Sequence, residues 1–285
     1  MISVIIVQYN HPDLTRRAVQ SLRQHNTGDF EVIVVDNGSP DPDTRSATEQ
    51  LTGCTVIFKP VNSGFGAANN TGAGASRGEY LFFLNNDTLV HGEILPQIEN
   101  YFATTPSCGA AGLHLLNPDG TEQNSSGQPL SIWTVWNMRS RKYVYRNPDT
   151  VRRSWVSGAA MAVRRSVFDK VGGFDESYFM YFEDVDICAR IERAGYEIHS
   201  IPSIQVEHLG GGSQPEGMPP ALQKEFRRSQ VRCYSRHSSP LDNALLRAYL
   251  FLRFFPQYFA GNPVRRSVAS HVLSILVGNP DERRD

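Results

Sequence analysis

Tyr80-Leu81-Phe82-Phe83-Leu84-Asn85-Asn86-Asp87 changes character within a single step. Its first five residues are apolar without alternation, so the run reads as a strand covered on both faces, and three polar residues follow at once. Runs of the same kind precede it at Ser3 to Gln8, Glu31 to Asp36 and Thr55 to Phe58. Between them, Asp13 to His25 and Thr44 to Leu51 carry helical spacing. The first of these has Leu14, Ala18 and Leu22 on one face, and Pro12 stands at its start, where a missing N–H costs nothing. Strand alternating with helix predicts an α/β fold with four parallel strands.

Further along, the pattern turns toward a mixed sheet. Val156 to Val163 is expected as a strand, Glu183 to Ala194 as a helix ended by Gly195, and Tyr196 to Ile201 and Ile204 to His208 as two short strands. Leu209 to Pro220, rich in glycine and proline, reads as a loop or lid. Helices are expected again at Ala221 to Arg236, Leu241 to Phe255 and Val264 to Val277. No internal repeat is present.

A chain of 285 residues with 40% hydrophobic content can bury a substantial core. A net charge of −1 argues against a surface built to bind nucleic acid. From Lys224 to Arg266, however, nine basic residues meet only two acids, Glu225 and Asp242. Cys54, Cys108, Cys188 and Cys233 are far apart and form no C-x-x-C pair, which predicts a reducing cytosol and neither a zinc knuckle nor a disulfide framework. Met1 runs straight into Ile2 to Val7, so no secretory leader is expected, and no run reaches the roughly 20 apolar residues of a membrane span. Leu245 to Phe259, broken by Arg247, Arg253 and Pro256, suits a membrane surface better than its interior; packing within the protein and dimerisation are competing uses.

Ligands of open α/β sheets bind beyond the carboxyl ends of the strands. Here those ends are Tyr9-Asn10, Asp36-Asn37-Gly38-Ser39, Asn62-Ser63-Gly64 and Asn85-Asn86-Asp87. Asp36 reads either as an acceptor for a base or ribose, or as a turn residue. Gly64 to Asn70 opens a helix of small residues whose N-terminus can attract phosphate, although neither G-x-G-x-x-G nor a P-loop is present. Asp87 reads as a turn residue or as the carboxylate of a divalent cation, Mg²⁺ or Mn²⁺, that takes its other ligands from phosphates and water. Glu183 and Asp184 open a helix, where the dipole alone favours them. The aromatic run Tyr178 to Phe182 can nevertheless wall an acid from water and make one of the pair a lone general base. His208 precedes the glycine-rich stretch and reads as a surface group or as an imidazole completing the Asp87 site.

In this order the segments Val4 to Asn10, Val34 to Ser39, Asn62 to Asn69, Leu84 to Asp87, Ser157 to Met161, Gly172 to Glu176 and Phe182 to Asp186 resemble the inverting family-2 glycosyltransferases of GT-A fold, especially the bacterial rhamnosyltransferase-like branch. The resemblance runs from Ile2 to about Gly212. It implies a GT-A-type, Rossmann-like mixed sheet over 1–215, with a nucleotide-sugar half at 1–110, an acceptor half at 111–215 and a helical extension at 216–285. The donor would meet Tyr9, Asn10, Asp36, Asn37, Gly64, Phe65, Asn69, Asn85 and Asn86. Gly158 and Glu183 would bind the acceptor, Asp87 and His208 the metal, and Asp184 would be the base. Asparagines at 85 and 86 depart from the family's Asp-x-Asp and imply a weaker grip on metal. The implied reaction carries a sugar from a nucleotide diphosphate, dTDP-rhamnose first and a UDP-sugar next, to a glycan or lipid-linked glycan. Its setting would be the cytoplasm or the inner face of the membrane. A sugar nucleotidyltransferase and a non-catalytic binding module share the scaffold and stay open as alternatives.

Overall fold

The computed structural model describes residues 1–132, 151–210 and 218–278. Strands β1 (Ile2–Gln8), β2 (Phe30–Asp36), β3 (Thr55–Phe58) and β4 (Tyr80–Asn85) lie parallel in the order β3-β2-β1-β4, as expected. Alternate residues of these strands face two cores. Val4, Ile6, Phe82 and Leu84 join one cluster, and Ile5, Leu81 and Phe83 join the other, which explains the absence of polar alternation. Helix α1 (Pro12–His25) buries Ala18, Val19 and Leu22. Helix α2 (Pro42–Glu49) starts at Asp41, whose side chain accepts from the Asp43 and Thr44 amides. Helix α3 (Phe65–Ala75) lies so close to the sheet that a Cβ on Gly72 would stand 2.5 Å from Ile5 Cγ2.

From β4 the sheet becomes mixed. The short β5 (Thr88–Leu89), helix α4 (Leu95–Thr104) and β6 (Cys108–Leu116) follow, and β7 (Ser126–Gly127) pairs with β9 (Trp155–Val156) in a small separate ribbon. β10 (Ala160–Arg164) runs antiparallel between β4 and β6, and β11 (Glu197–His208) is parallel to β6. β11 also pairs antiparallel with β5 and with β8 (Val151–Arg153). Helix α5 (Arg165–Val171) follows β10, and α6 (Glu183–Arg193) precedes β11. The last helices are α7 (Pro220–His237), α8 (Pro240–Tyr258) and α9 (Pro263–Val277), joined by a cluster that includes Tyr234, Leu246, Leu250 and Val272.

Two expectations are corrected here. Val156 to Val163 is not one strand: Ser157-Gly158-Ala159 interrupts it, with the Ser157 amide donating to Ser125 O and the Asn85 amide donating to Ala159 O. Conversely, Tyr196 to Ile201 and Ile204 to His208 are one strand, whose register slips between Ile201 and Gln205. Pro202, which has no N–H to give, sits in that slip and makes an irregularity rather than a stop. Of the expected loop from Leu209 to Pro220, residues 211–217 lie outside the described residues.

Candidate active site

The polar turn after β4 is brought to the end of β11 by strand register, with His208 opposite Thr88 and the Leu209 amide donating to Asp87 O at 2.8 Å. His208 Nε2 therefore stands 3.2 Å from Asp87 Oδ1 and 3.3 Å from the side-chain nitrogen of Asn85. Burial pushes the Asp87 carboxyl up, but the hydrogen bond and positive charge that His208 supplies when both its ring nitrogens are protonated outweigh it and hold the group below the usual carboxylate range. An imidazole nitrogen beside a carboxylate oxygen is a donor set suited to Mn²⁺ or Mg²⁺. Neighbouring ligands of an octahedral cation at about 2.1 Å lie about 3 Å apart, close to this spacing, so the pair fits. Among the described residues no third His, Cys, Asp or Glu joins them. Asn86 points elsewhere and donates to Thr15 Oγ1 at 3.2 Å.

At the start of α6, Asp184 is partly exposed. One carboxylate oxygen accepts from the Gly158 amide at 3.1 Å and the other from the Val185 amide at 2.8 Å. Desolvation raises its pKa above the ordinary value despite these donors. Glu183 is buried, and burial together with the Asp184 charge pushes its carboxyl well up; its Oε2 has no hydrogen-bond partner among the described residues. The preceding aromatic run is held at a conformational cost. Tyr181 and Phe182 hold φ of 68° and 67°, a region costing bulky residues ~1–3 kcal/mol each. Helix α7 braces them: the Phe226 ring lies 5.4 Å from Tyr181 and 5.2 Å from Phe182, and Ser229 Oγ donates to Met180 O at 2.9 Å. His237 also stands 2.6 Å from Asp186, which pairs with Arg190 at 2.7 Å.

Gly158 connects the corners. A Cβ on it would stand 3.2 Å from Phe65 Cε1 and 3.6 Å from Asp184 Cβ, while its neighbour Ala159 accepts from Asn85. Phe65 in turn donates its amide to Phe179 O at 2.9 Å, so that N–H is not free for phosphate. Gly64, at φ 92°, would drive a Cβ to 2.4 Å from Phe179 O. Asn37 binds this segment by donating to Gly64 O at 3.1 Å and accepting from the Ser63 amide at 3.1 Å.

The remaining donor-side residues divide. Tyr9 is 39% exposed and shares with Gly38, Ser39, Arg45, Val61 and Asn62 a cleft of about 550 Å³, a volume suited to a small ligand. Asn10 holds φ 61° beside it, its amide donating to Ser39 Oγ at 3.0 Å. Asp36 is 2% exposed and accepts from Gln8 Nε2 at 2.7 Å and the Ser39 amide at 2.8 Å, so it shapes the rim from beneath. Asn69 is buried and turned back onto Phe65 O. Arg45, stacked 4.2 Å from the Phe58 ring, and Gln123, 2.7 Å from His208, are additions that the sequence reading did not reach.

The mixed α/β sheet, flanked by helices, is the fold of the GT-A sugar transferases. Residues 3–172 match the profile described as glycosyl transferase family 2, and residues 145–210 match one described as N-terminal domain of galactosyltransferase. The chain belongs to glycosyl transferase family 2. It is 28% identical over 286 residues to N-acetylglucosaminyl-diphospho-decaprenol L-rhamnosyltransferase of Mycobacterium tuberculosis, covering 89% of this chain and 93% of that one, which places it in the rhamnosyltransferase-like branch. It is 29% identical to protein y4gI of Sinorhizobium fredii over 80% of this chain, and spans 26% of that relative's length. In structure it is similar to the mannosyltransferase PcManGT of Pyrobaculum calidifontis, solved with GDP-Man and Mn²⁺, at a TM-score of 0.58 and 16% identity. That match covers 98% of this chain and 81% of the other.

Proposed function

We propose that the chain transfers a sugar from a nucleotide diphosphate to an acceptor hydroxyl with inversion, L-rhamnose on dTDP being the first donor to test and UDP-sugars the next. The observation that supports this is the contact path from Asp184 through Gly158 and Ala159 to Asn85, His208 and Asp87, which links the proposed base to the carboxylate–imidazole pair. Asp184 takes the acceptor hydroxyl's proton as that oxygen bonds to the anomeric carbon; the bond to the diphosphate breaks on the opposite side, and its electron pair leaves with the phosphate. Asp87 and His208 would hold an Mg²⁺ or Mn²⁺, which would supply positive charge to stabilise the departing diphosphate. The cleft at Tyr9 receives the nucleotide, and Gly158 borders the acceptor, with Glu183 buried next to Asp184 in the chain rather than open to it. This follows the division into a donor half at 1–110, an acceptor half at 111–215 and a helical extension beyond.

The acceptor is proposed to be a glycan, and a lipid-linked one first, in keeping with the decaprenol in the mycobacterial relative's name. The outer face of α8 supports a seat on the inner surface of the cell membrane. Phe251, Leu252, Phe255 and Phe259 are exposed there, with successive Phe rings 5.0 and 5.4 Å apart. No acid occurs between Asp242 and Asp281, whereas Arg265 and Arg266 are exposed nearby, a charge pattern suited to anionic lipid. Among the described residues no helix is long and apolar enough to cross a membrane. Calorimetry with a panel of nucleotide sugars, with and without Mn²⁺, followed by transfer to lipid-linked acceptors, tests the reading; donor binding without transfer to any acceptor overturns it. Flotation with phosphatidylglycerol vesicles tests the seat, and concentration-dependent dimers with no flotation assign the face to a second copy instead.

A further inference from the structure

His208 has two ring nitrogens, and the protein treats them differently. Nε2 faces Asp87 and Asn85. Nδ1 stands 2.7 Å from Oε1 of Gln123, a residue 7% exposed that no motif contains. The orientation of that carboxamide is settled by its nitrogen, which donates to Asn117 Oδ1 at 2.8 Å and to the His208 carbonyl oxygen at 2.8 Å. Turned over, it would set its oxygen against two acceptors. Oε1 is therefore the atom at Nδ1, and because it can only accept, Nδ1 must carry the hydrogen. Gln123 is itself held, its amide donating to Leu115 O at 2.8 Å and the Asn117 amide donating to Thr121 O at 2.7 Å across the turn before it.

Left alone, the Asp87–His208 pair would favour the opposite tautomer. A hydrogen on Nε2 would make a charge-assisted bond to the carboxylate, and it would also cover the electron pair that a cation needs. Gln123 acts against that preference. With the hydrogen held on Nδ1, a neutral ring presents a lone pair to a carboxylate oxygen 3.2 Å away, a repulsive contact unless a cation or a second proton lies between them.

We infer that Gln123 is a positioning residue for the cation pair: it holds His208 in the Nδ1–H tautomer so that Nε2 faces Asp87 as a ligand. The inference rests on the reading of Asp87 and His208 as the metal pair. Hydrogen-bond partners behind a ligating histidine typically change metal affinity by about 10–100-fold.

The test uses the full chain labelled with ¹⁵N-histidine. Long-range ¹H–¹⁵N spectra, taken without metal at a pH where the ring is neutral, should show His208 with its hydrogen on Nδ1, and Gln123→Leu should move it to Nε2. Mn²⁺ titration followed by electron paramagnetic resonance, in the presence of UDP or dTDP, should show binding about 10–100-fold weaker in Gln123→Leu. In His208→Ala, adding Gln123→Leu should change Mn²⁺ affinity no further, which separates positioning from a general loosening of the fold. An Nε2–H tautomer in the parent protein overturns the inference without need of any variant, as does undiminished Mn²⁺ affinity in Gln123→Leu. If the parent shows Nδ1–H yet binds no Mn²⁺ even with nucleotide, the metal reading of the pair falls and the inference falls with it.

Discussion

The backbone amide of Gly158 donates to the side chain of Asp184 at 3.1 Å, so the acid proposed as base is aimed by a residue that leaves its strand to reach it. Asp184→Asn can keep an oxygen at that amide and should preserve the fold. Transfer should drop by about 10²–10⁴-fold while calorimetric donor affinity stays within a factor of about 3. Equal loss of donor binding would place Asp184 in the donor site rather than at the acceptor.

The pH dependence follows from the same carboxyl. Desolvation raises the Asp184 pKa, and only the ionised form can accept a proton, so kcat/KM should rise with pH through a window above the ordinary carboxylate range. Initial rates at saturating Mn²⁺, taken from the ordinary carboxylate range upward, measure this. A rate independent of pH over that whole range would remove Asp184 as the base.

Glu183 supplies a stability experiment of definite sign. Its folded carboxyl keeps a proton to higher pH than the unfolded one, because it is buried beside Asp184. The native state therefore binds more protons between the ordinary glutamate range and the raised value, and stability falls as pH rises through that window. Glu183→Gln cannot ionise. Its Tm should exceed the parent's at pH 8 by about 3 °C or more, corresponding to about 1 kcal/mol, and the gap should close by pH 4. A gap that is the same at both values would trace the effect to packing instead.

Helix α7 reaches the loop before the proposed base through Phe226, which is 5% exposed and lies against two residues in left-handed conformation. Phe226→Ala should cost about 3–5 kcal/mol in denaturant unfolding. At temperatures where the variant is still folded, it should also lower kcat, because Tyr181 and Phe182 lose the ring that holds them. Normal turnover in the folded variant would show that the loop keeps its shape unaided.

Strands β1 and β4 were legible because burial on both faces leaves a continuous apolar run, while the edge strand β3, only part-buried, has the limits read for it at Thr55–Phe58. β6 was not legible, since Gly109-Ala110-Ala111-Gly112 lacks the branched residues of a strand. Space is the reason for Gly112, where a Cβ would lie 2.4 Å from Val156 Cβ. Ser157 to Ala159 looked like strand because its hydrogen bonds to Ser125, Asp184 and Asn85 are invisible in a one-dimensional pattern. Motif and strand end singled out Asp87, Asp184 and His208 in the sequence, and the fold brings Asp87 and His208 together. Gln123 sits in a polar stretch without periodicity, 85 residues from the histidine it touches, and only the folded chain brings the two together.

The brace on the loop before Asp184 also sets an order in time. Chains are made from the N-terminus, and the strands of the donor side can pair before the last helices exist. Asp184 leaves the ribosome well ahead of Phe226, Ser229 and His237, the residues that hold its loop and helix. A nascent or interrupted chain can thus carry every motif of a transferase without support for the proposed base, and that support arrives with α7, in the final third of the chain, rather than with the motifs themselves.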